Sequence, residues 1–250
     1  MNNFNNVKLI GSIVSKAVFS HEVVRKGEKG NENTNIIFLR FTLEVPRLSG
    51  VSDFLEVIIS EEKWQSAFNQ PEHTLDADSP KRVVEIYGHL QSHNYIDHET
   101  GKNKLNLFVL AKTIQELTTT AKESEISLEY NKAENLNTVF IEGFVCQKPI
   151  IRQTTLGRTI AEVLIAVNRH NGSSYIPVIL WGGNAANAKY FEKGDKLQFA
   201  GRFQSREYRK IINGIKTIHT AYEMSASTVK LIKRDVGSSL PKTINNLCIW

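Results

Sequence analysis

At 250 residues and 28.3 kDa, with 41% hydrophobic and 23% charged residues, the chain can bury two cores of roughly 110 to 125 residues each. Its longest apolar runs, such as Ile36–Leu39 and Leu107–Ala111, fall far short of the ~20 residues a membrane helix requires, and the polar opening Met-Asn-Asn-Phe-Asn-Asn has no signal-peptide core; a cytoplasmic protein with no membrane partner is expected. The net charge of +5 is unevenly placed, since residues 1–125 carry 14 basic against 17 acidic residues and residues 126–250 carry 17 against 9, so a polyanion would be drawn to the later half.

In chain order the readable elements are mostly strands, short runs rich in Val, Ile, Leu, Phe and Tyr separated by Gly, Asn, Asp and Ser clusters. Asn5 to Ile13, Phe41 to Arg47 and Phe54 to Ile59 come first. A helix is expected over Glu61 to Asn69, with acidic residues in its first turn and Trp64 and Phe68 at i, i+4. A strand pair follows from Glu85. Residues 119–134 are polar, without Gly or Pro, and read as a linker or an added edge strand. Strands resume at Asn137, and a second helix is expected over Ala185 to Lys193, with Asn184 as N-cap and Gly194 as the stop.

The halves repeat each other. Asn5-x-Val7-x-Leu9-x-Gly11-x-Ile13 matches Asn137-x-Val139-x-Ile141-x-Gly143-x-Val145, and Phe41-x-Leu43-x-Val45-x-Arg47 matches Val163-x-Ile165-x-Val167-x-Arg169. Phe54-x-x-Val57-x-Ile59 matches Tyr175-x-x-Val178-x-Leu180, and Gly88-x-Leu90-Gln91-Ser92-x-x-Tyr95 matches Gly201-x-Phe203-Gln204-Ser205-x-x-Tyr208. Each copy reads as three strands, a helix and a strand pair. That is the layout of the five-stranded OB barrel. The expected fold is therefore all-β, two tandem OB barrels over residues 1–120 and 135–234, each with a short helix between strands 3 and 4, and a tail over 235–250.

The second copy resembles the bacterial single-stranded DNA-binding protein family. The matching residues are Asn137-x-Val139-x-Ile141-x-Gly143, then Pro149-x-x-Arg152-x-Thr154-x-x-Gly157 as the family's first loop, and Ala161-x-Val163-x-Ile165-Ala166-Val167-Asn168-Arg169. They continue through Tyr175 to Trp181 with Gly182, Lys193-Gly194-Asp195, and Gly201-Arg202-Phe203-Gln204-Ser205-Arg206-x-Tyr208. The first copy resembles the family only through its relation to the second. The resemblance implies single-stranded DNA as partner, stacking by the aromatics at Tyr175, Trp181 and Tyr208, and four OB domains per assembly, hence a homodimer here.

Strand parity tells which residues could meet a ligand. On 197–208 the odd positions Leu197, Phe199, Gly201 and Phe203 read as core, so Gln198, Arg202, Gln204, Arg206 and Tyr208 share the other face; Tyr175 and Trp181 lie opposite the core set Ile176, Val178 and Leu180. Bases stack on rings at ~1–3 kcal/mol each and phosphates displace counterions at cations. The candidates are Tyr175, Trp181 and Tyr208 as platforms and Arg152, Arg169, Arg202 and Arg206 as phosphate or base-plane partners. Against them stands the plainer reading that Trp181 plugs a barrel end and Tyr208 packs on the hairpin.

In the first copy Glu85, Tyr87, His89, Gln91, His93 and Tyr95 share the outward face; Ser60 stands at the Trp181 position and Ser20 at that of Arg152. Phe54 and Tyr95 retain two of the three aromatics. This is expected to be a weaker DNA face or an assembly surface, and neutral imidazoles at His89 and His93 would contribute to it only on protonation.

Metal binding by His89, His93 and His98 is not expected at hairpin spacing, Cys146 and Cys248 form no disulfide framework, and no catalytic motif or cofactor loop stands out. The chain ends in Leu247-Cys248-Ile249-Trp250, without the acidic tip that recruits replication and repair enzymes in the family, so such partners are in question. Phe140 and Phe144, outward on their strand, are candidates for a dimer interface or for packing under the long hairpin. The expected function is sequence-nonspecific single-stranded DNA binding in replication, repair or recombination. The alternative is an OB interaction module, a primosome or mobile-element accessory protein with little DNA binding of its own.

Overall fold

Alternation makes the repeated Asn-x-Val runs into strands. Val7, Leu9, Gly11 and Ile13 are buried with more exposed residues between them, and Val139, Ile141, Gly143 and Val145 repeat the pattern. The computed structural model describes residues 4–25, 33–68, 82–96, 101, 103–117, 136–169, 172–212 and 215–234. The linker read over 119–134, His98, Cys248 and the tail over 235–250 lie outside the described residues.

In chain order the elements are β1 (Asn5–Ile13), β2 (Val18–Arg25), β3 (Thr34–Pro46), β4 (Ser52–Ser60), α1 (Glu61–Phe68), β5 (Val83–Ile96) and β6 (Asn103–Glu116). The second copy follows with β7 (Asn137–Val145), β8 (Ile150–Gln153), β9 (Thr159–Arg169), β10 (Gly172–Trp181), α2 (Gly182–Asn187), a 3-10 turn (Ala188–Tyr190), β11 (Lys196–Ile212) and β12 (Ile215–Lys233). The described chain forms two compact units. The N-terminal unit comprises Val7–His89 and Phe108–Asn137; the C-terminal unit comprises Met1–Asn6, Leu90–Leu107 and Thr138–Trp250, so the distal part of the β5 and β6 pair belongs to the latter.

In the N-terminal unit, β1 pairs antiparallel with β5 from Val7↔Gly88 to Ser12↔Val83 and meets β3 at Ile13↔Leu43. β3 pairs with β4, and β4 runs parallel to β6 at Val57↔Val109. β5 lies beside β6 and closes a five-stranded ring. The C-terminal unit repeats it: β7 pairs with β11 and β9, β9 with β10, β10 runs parallel to β12 at Val178↔Met224, and β12 pairs with β11. This is the OB connectivity in both copies. The repeated glycines mark where the rings close. A Cβ on Gly11 would lie 2.3 Å from the Glu44 carbonyl oxygen and one on Gly143 2.9 Å from that of Ala166; on Gly88 and Gly201 it would meet the Leu110 and Ser225 oxygens at 2.4 and 2.1 Å.

Two local expectations are corrected. In each copy the first ring strand breaks, at 14–17 and 146–149, and its continuation (β2 or β8) pairs further along the same edge of β3 or β9. Arg152 is therefore on an edge strand rather than in a loop. The second helix begins at Gly182, with Trp181 at the N-cap position, because Gly182 adopts φ +55° and turns the chain directly off β10. Asn184 does not cap it; its side-chain amide donates to the Ser227 carbonyl. The first helix spans Glu61–Phe68, Asn69 lying outside the described residues, with Trp64 and Phe68 buried edge-on at 4.6 Å and Trp64 against Phe41 at 5.2 Å. Both units bury arginine-held carboxylates, among them Asp53 by Arg47 and Asp195 by Arg234 at 3.2 Å. Asp195 also accepts the Glu192 amide, and Arg234 donates to the Tyr190 carbonyl, which ties the end of β12 to the turn after α2.

Candidate nucleic-acid interface

Register assembles one outward face in the C-terminal unit. β11 and β12 pair so that Arg202 faces Ser225, Gln204 faces Glu223, Arg206 faces Ala221 and Tyr208 faces His219. Directly opposed residues share a side of the sheet. Leu197, Phe199 and Phe203 are fully buried on the other side, as parity requires. On β10, Ile176, Val178 and Leu180 are buried and Trp181 is 40% exposed.

Trp181 does not plug the barrel. Its indole N–H donates to Ser225 Oγ at 3.1 Å, which holds the ring beside the Arg202 row and leaves part of it in solvent. Tyr208 is 38% exposed, stacked on His219 with centroids 5.6 Å apart and with the Arg206 guanidinium 5.9 Å from its ring. Between these rings runs a polar chain: Arg202 Nε donates to Gln204 Oε1 at 3.3 Å, Gln204 Nε2 donates to Glu223 Oε1 at 2.7 Å, and Glu223 Oε2 lies 3.8 Å from Arg206. Gln204 and Glu223 are both buried. Gln204 is thus on the outward side yet covered, contrary to the expectation of an exposed glutamine. The network restrains both guanidinium groups before any ligand arrives.

Tyr175 is half-buried, less open than the other two rings, and its hydroxyl is pushed up from its ordinary value by burial, with the neighbouring Cys146 adding to the effect. Its backbone amide donates to Ser92 Oγ at 2.8 Å. Cys146 is itself buried and its thiol is pushed up to about 12 by desolvation, partly opposed by Lys193. The two remaining arginines are already engaged. Arg152 is ion-paired with Glu162, and Arg169 donates to Gln91 Oε1 at 3.1 Å and to the Ser173 carbonyl. Arg202 and Arg206 are the cations that the structure sets between the rings.

Tyr95, 44% exposed, belongs to the C-terminal unit through the 90–107 segment; Phe54, 48% exposed, belongs to the N-terminal unit. In the latter, Tyr87 is exposed and Lys8 lies 5.5 Å over its ring, its ammonium held above the usual range chiefly by the hydrogen bond to Glu85. Phe140 is 54% exposed and Phe144 half-buried. Glu223, Ser225 and His219 escaped the sequence reading because they gain meaning only when β12 folds back on β11; the signal available was their own alternation along 219–225. Among the described residues no cluster suited to holding a metal ion occurs, and no helix is long and apolar enough to cross a membrane.

Comparison with known proteins agrees with this architecture. Residues 136–232 match the model of the Single-strand binding protein family. The chain is 34% identical over 92 residues to Single-stranded DNA-binding protein 1 of Clostridium acetobutylicum, covering 33% of this chain and 84% of that protein. It is also 34% identical over 104 residues to Single-stranded DNA-binding protein B of Bacillus subtilis, covering 38% and 89%. Among solved structures, the single-stranded DNA binding protein from Thermus aquaticus is similar across both copies, with TM-score 0.60, 18% identity and coverage of 96% of this chain and 98% of that one. That likeness shows the fold, and the sequence relatives show the kinship: the chain belongs to the single-strand binding protein family.

Proposed function

We propose that this protein binds single-stranded DNA without strong sequence preference, in replication, repair or recombination in the cytoplasm, through the outward face of its second OB domain. The observation that carries the reading is the union on one sheet face of two half-open rings, Trp181 and Tyr208, with two pre-positioned guanidinium groups, Arg202 and Arg206. Rings accept the face of any base, and guanidinium groups accept any phosphate, so the face is tolerant of sequence. Tyr175 supports the edge of the platform, Tyr95 adds a ring within the same unit, Phe54 offers a separate ring in the N-terminal unit, and Arg152 and Arg169 join by exchanging their present partners for phosphate. The domains are those of residues 1–120 and 135–234, and the chain works as a homodimer presenting four OB domains. No catalytic step and no cofactor is part of this function.

The test is a titration of the full chain with oligo-dT at several salt concentrations. Binding quenches Trp181 fluorescence, and affinity falls with a slope near −0.7 per phosphate contacted. A chain retained on neither a single-stranded nor a duplex DNA column, with no quenching, is not a single-strand binder.

A further inference from the structure

We propose that the N-terminal unit carries its own nucleotide subsite, a ring platform of His21 and Phe38 flanked by Arg40 and Lys112; the proposal rests on the single-stranded DNA reading above. Sequence alignment sets Ser20 against Arg152, but a bulge in β2 between Phe19 and His21 takes Ser20 out of the ladder. His21 then faces Phe38, which faces Ser60. The equivalent row of the other copy is Arg152, Ile160 and Trp181. The large ring that β10 supplies in one copy is thus supplied by the neighbouring strand β3 in the other, while Ser60 leaves room beside it.

The His21 and Phe38 rings are stacked, with centroids 4.7 Å apart and planes 6° from parallel. Ser20 Oγ holds His21 Nδ1 at 3.0 Å. His21 is exposed and Phe38 half-buried, so the pair is a preformed surface for a base rather than a core contact. The charge on the adjacent row is also exchanged. Where the later copy has Ile150, Glu162 and Ile179, this one has Val18, Arg40 and Ile58. The anion that neutralises Arg152 has become a cation. Among the described residues no ion pair or side-chain hydrogen bond claims the exposed Arg40 guanidinium, nor the exposed ammonium of Lys112, two residues beyond Leu110, the parallel ladder partner of Ile58. Glu56, opposite Thr42, is the nearest acidic residue by register and lies on the far side of Arg40 from the rings. Stacked rings bordered by two cations match a base and its flanking phosphates, the chemistry of a single-stranded oligonucleotide.

The experiment uses the full chain with an oligo-dT containing 5-bromodeoxyuridine, ultraviolet irradiation, and mapping of adducts by mass spectrometry. Adducts are expected within residues 17–25 or 33–40 in addition to those of the C-terminal unit. Phe38→Leu with His21→Ala, which keeps apolar volume in the sheet, is expected to weaken oligo-dT binding about fivefold or more, and Arg40→Gln to reduce the salt slope by about 0.7. Adducts confined to residues 137–234, with both variants binding like the parent, overturn the subsite and leave the single-strand reading standing. A parent chain that retains no oligonucleotide overturns both.

Discussion

The two copies share one strand connectivity and differ in how their outward faces hold charge. In the C-terminal unit Arg202 is tied through Gln204, and Arg206 directly, to the buried carboxylate of Glu223, and Trp181 is pinned by Ser225. In the first copy His89 and His93 stand at the arginine positions, His93 on the part of β5 that belongs to the C-terminal unit, while in the N-terminal unit a ring and a cation lie together on β3, as Phe38 and Arg40. The strand that carries the large ring thus differs between the copies, β10 for Trp181 and β3 for Phe38. The row matters, because residues in one row are 4.5 to 5.5 Å apart by the geometry of paired strands.

Breaking the stronger face is the largest expected effect. Trp181→Ala with Tyr208→Ala removes two stacking platforms at ~1–3 kcal/mol each, so oligo-dT affinity in a fluorescence-independent assay should fall about thirtyfold or more; a smaller fall would place most of the affinity elsewhere. Next comes Asp195→Ala, which leaves Arg234 without its carboxylate and the Glu192 amide without an acceptor. A loss of ~2–3 kcal/mol in urea unfolding is expected, in line with a buried charged hydrogen-bond partner.

Smaller effects sharpen the charge comparison. Glu223→Gln removes the anion between the two arginines while preserving its size; affinity for oligo-dT at low salt should rise a few-fold, because the phosphate no longer competes with a fixed negative charge, and a fall would make Glu223 chiefly a positioning residue for Arg206. Glu162→Gln should free Arg152 from an exposed ion pair worth ~0.2–1 kcal/mol, making the later copy resemble the earlier one at Arg40. A twofold gain in affinity with a steeper salt slope is the expected reading. Least affected is Cys146, whose thiol stays protonated at pH 8 because burial has pushed it up to about 12; it should resist iodoacetamide in the folded chain and react on denaturation.

Much of the architecture was legible because it is written in periodicity. Val7, Leu9, Val139 and Ile141 declare their buried face by alternation alone, and the recurrence of Gly11, Gly88, Gly143 and Gly201 marks ring closures that sterics make obligatory. Trp181 and Tyr208 could likewise be assigned to the outward side by counting. The N-cap at Asn184 was misread because Gly182 φ, not side-chain capping, starts that helix. The engagement of Arg152 by Glu162 and of Arg169 by Gln91 could not be counted out, since both depend on pairings between residues 10 and 78 positions apart.

By itself the sequence determined the strand faces, the tandem repeat and the family, since each follows from local alternation or from ordered residue identity. Only the tertiary structure decided which cations are restrained toward the rings and which are spent on neighbours, that Glu223 lies among them, and that a single bulge at Ser20 carries His21 onto Phe38. Those facts arise from register between strands, and a one-residue slip in register exchanges the two faces of a sheet.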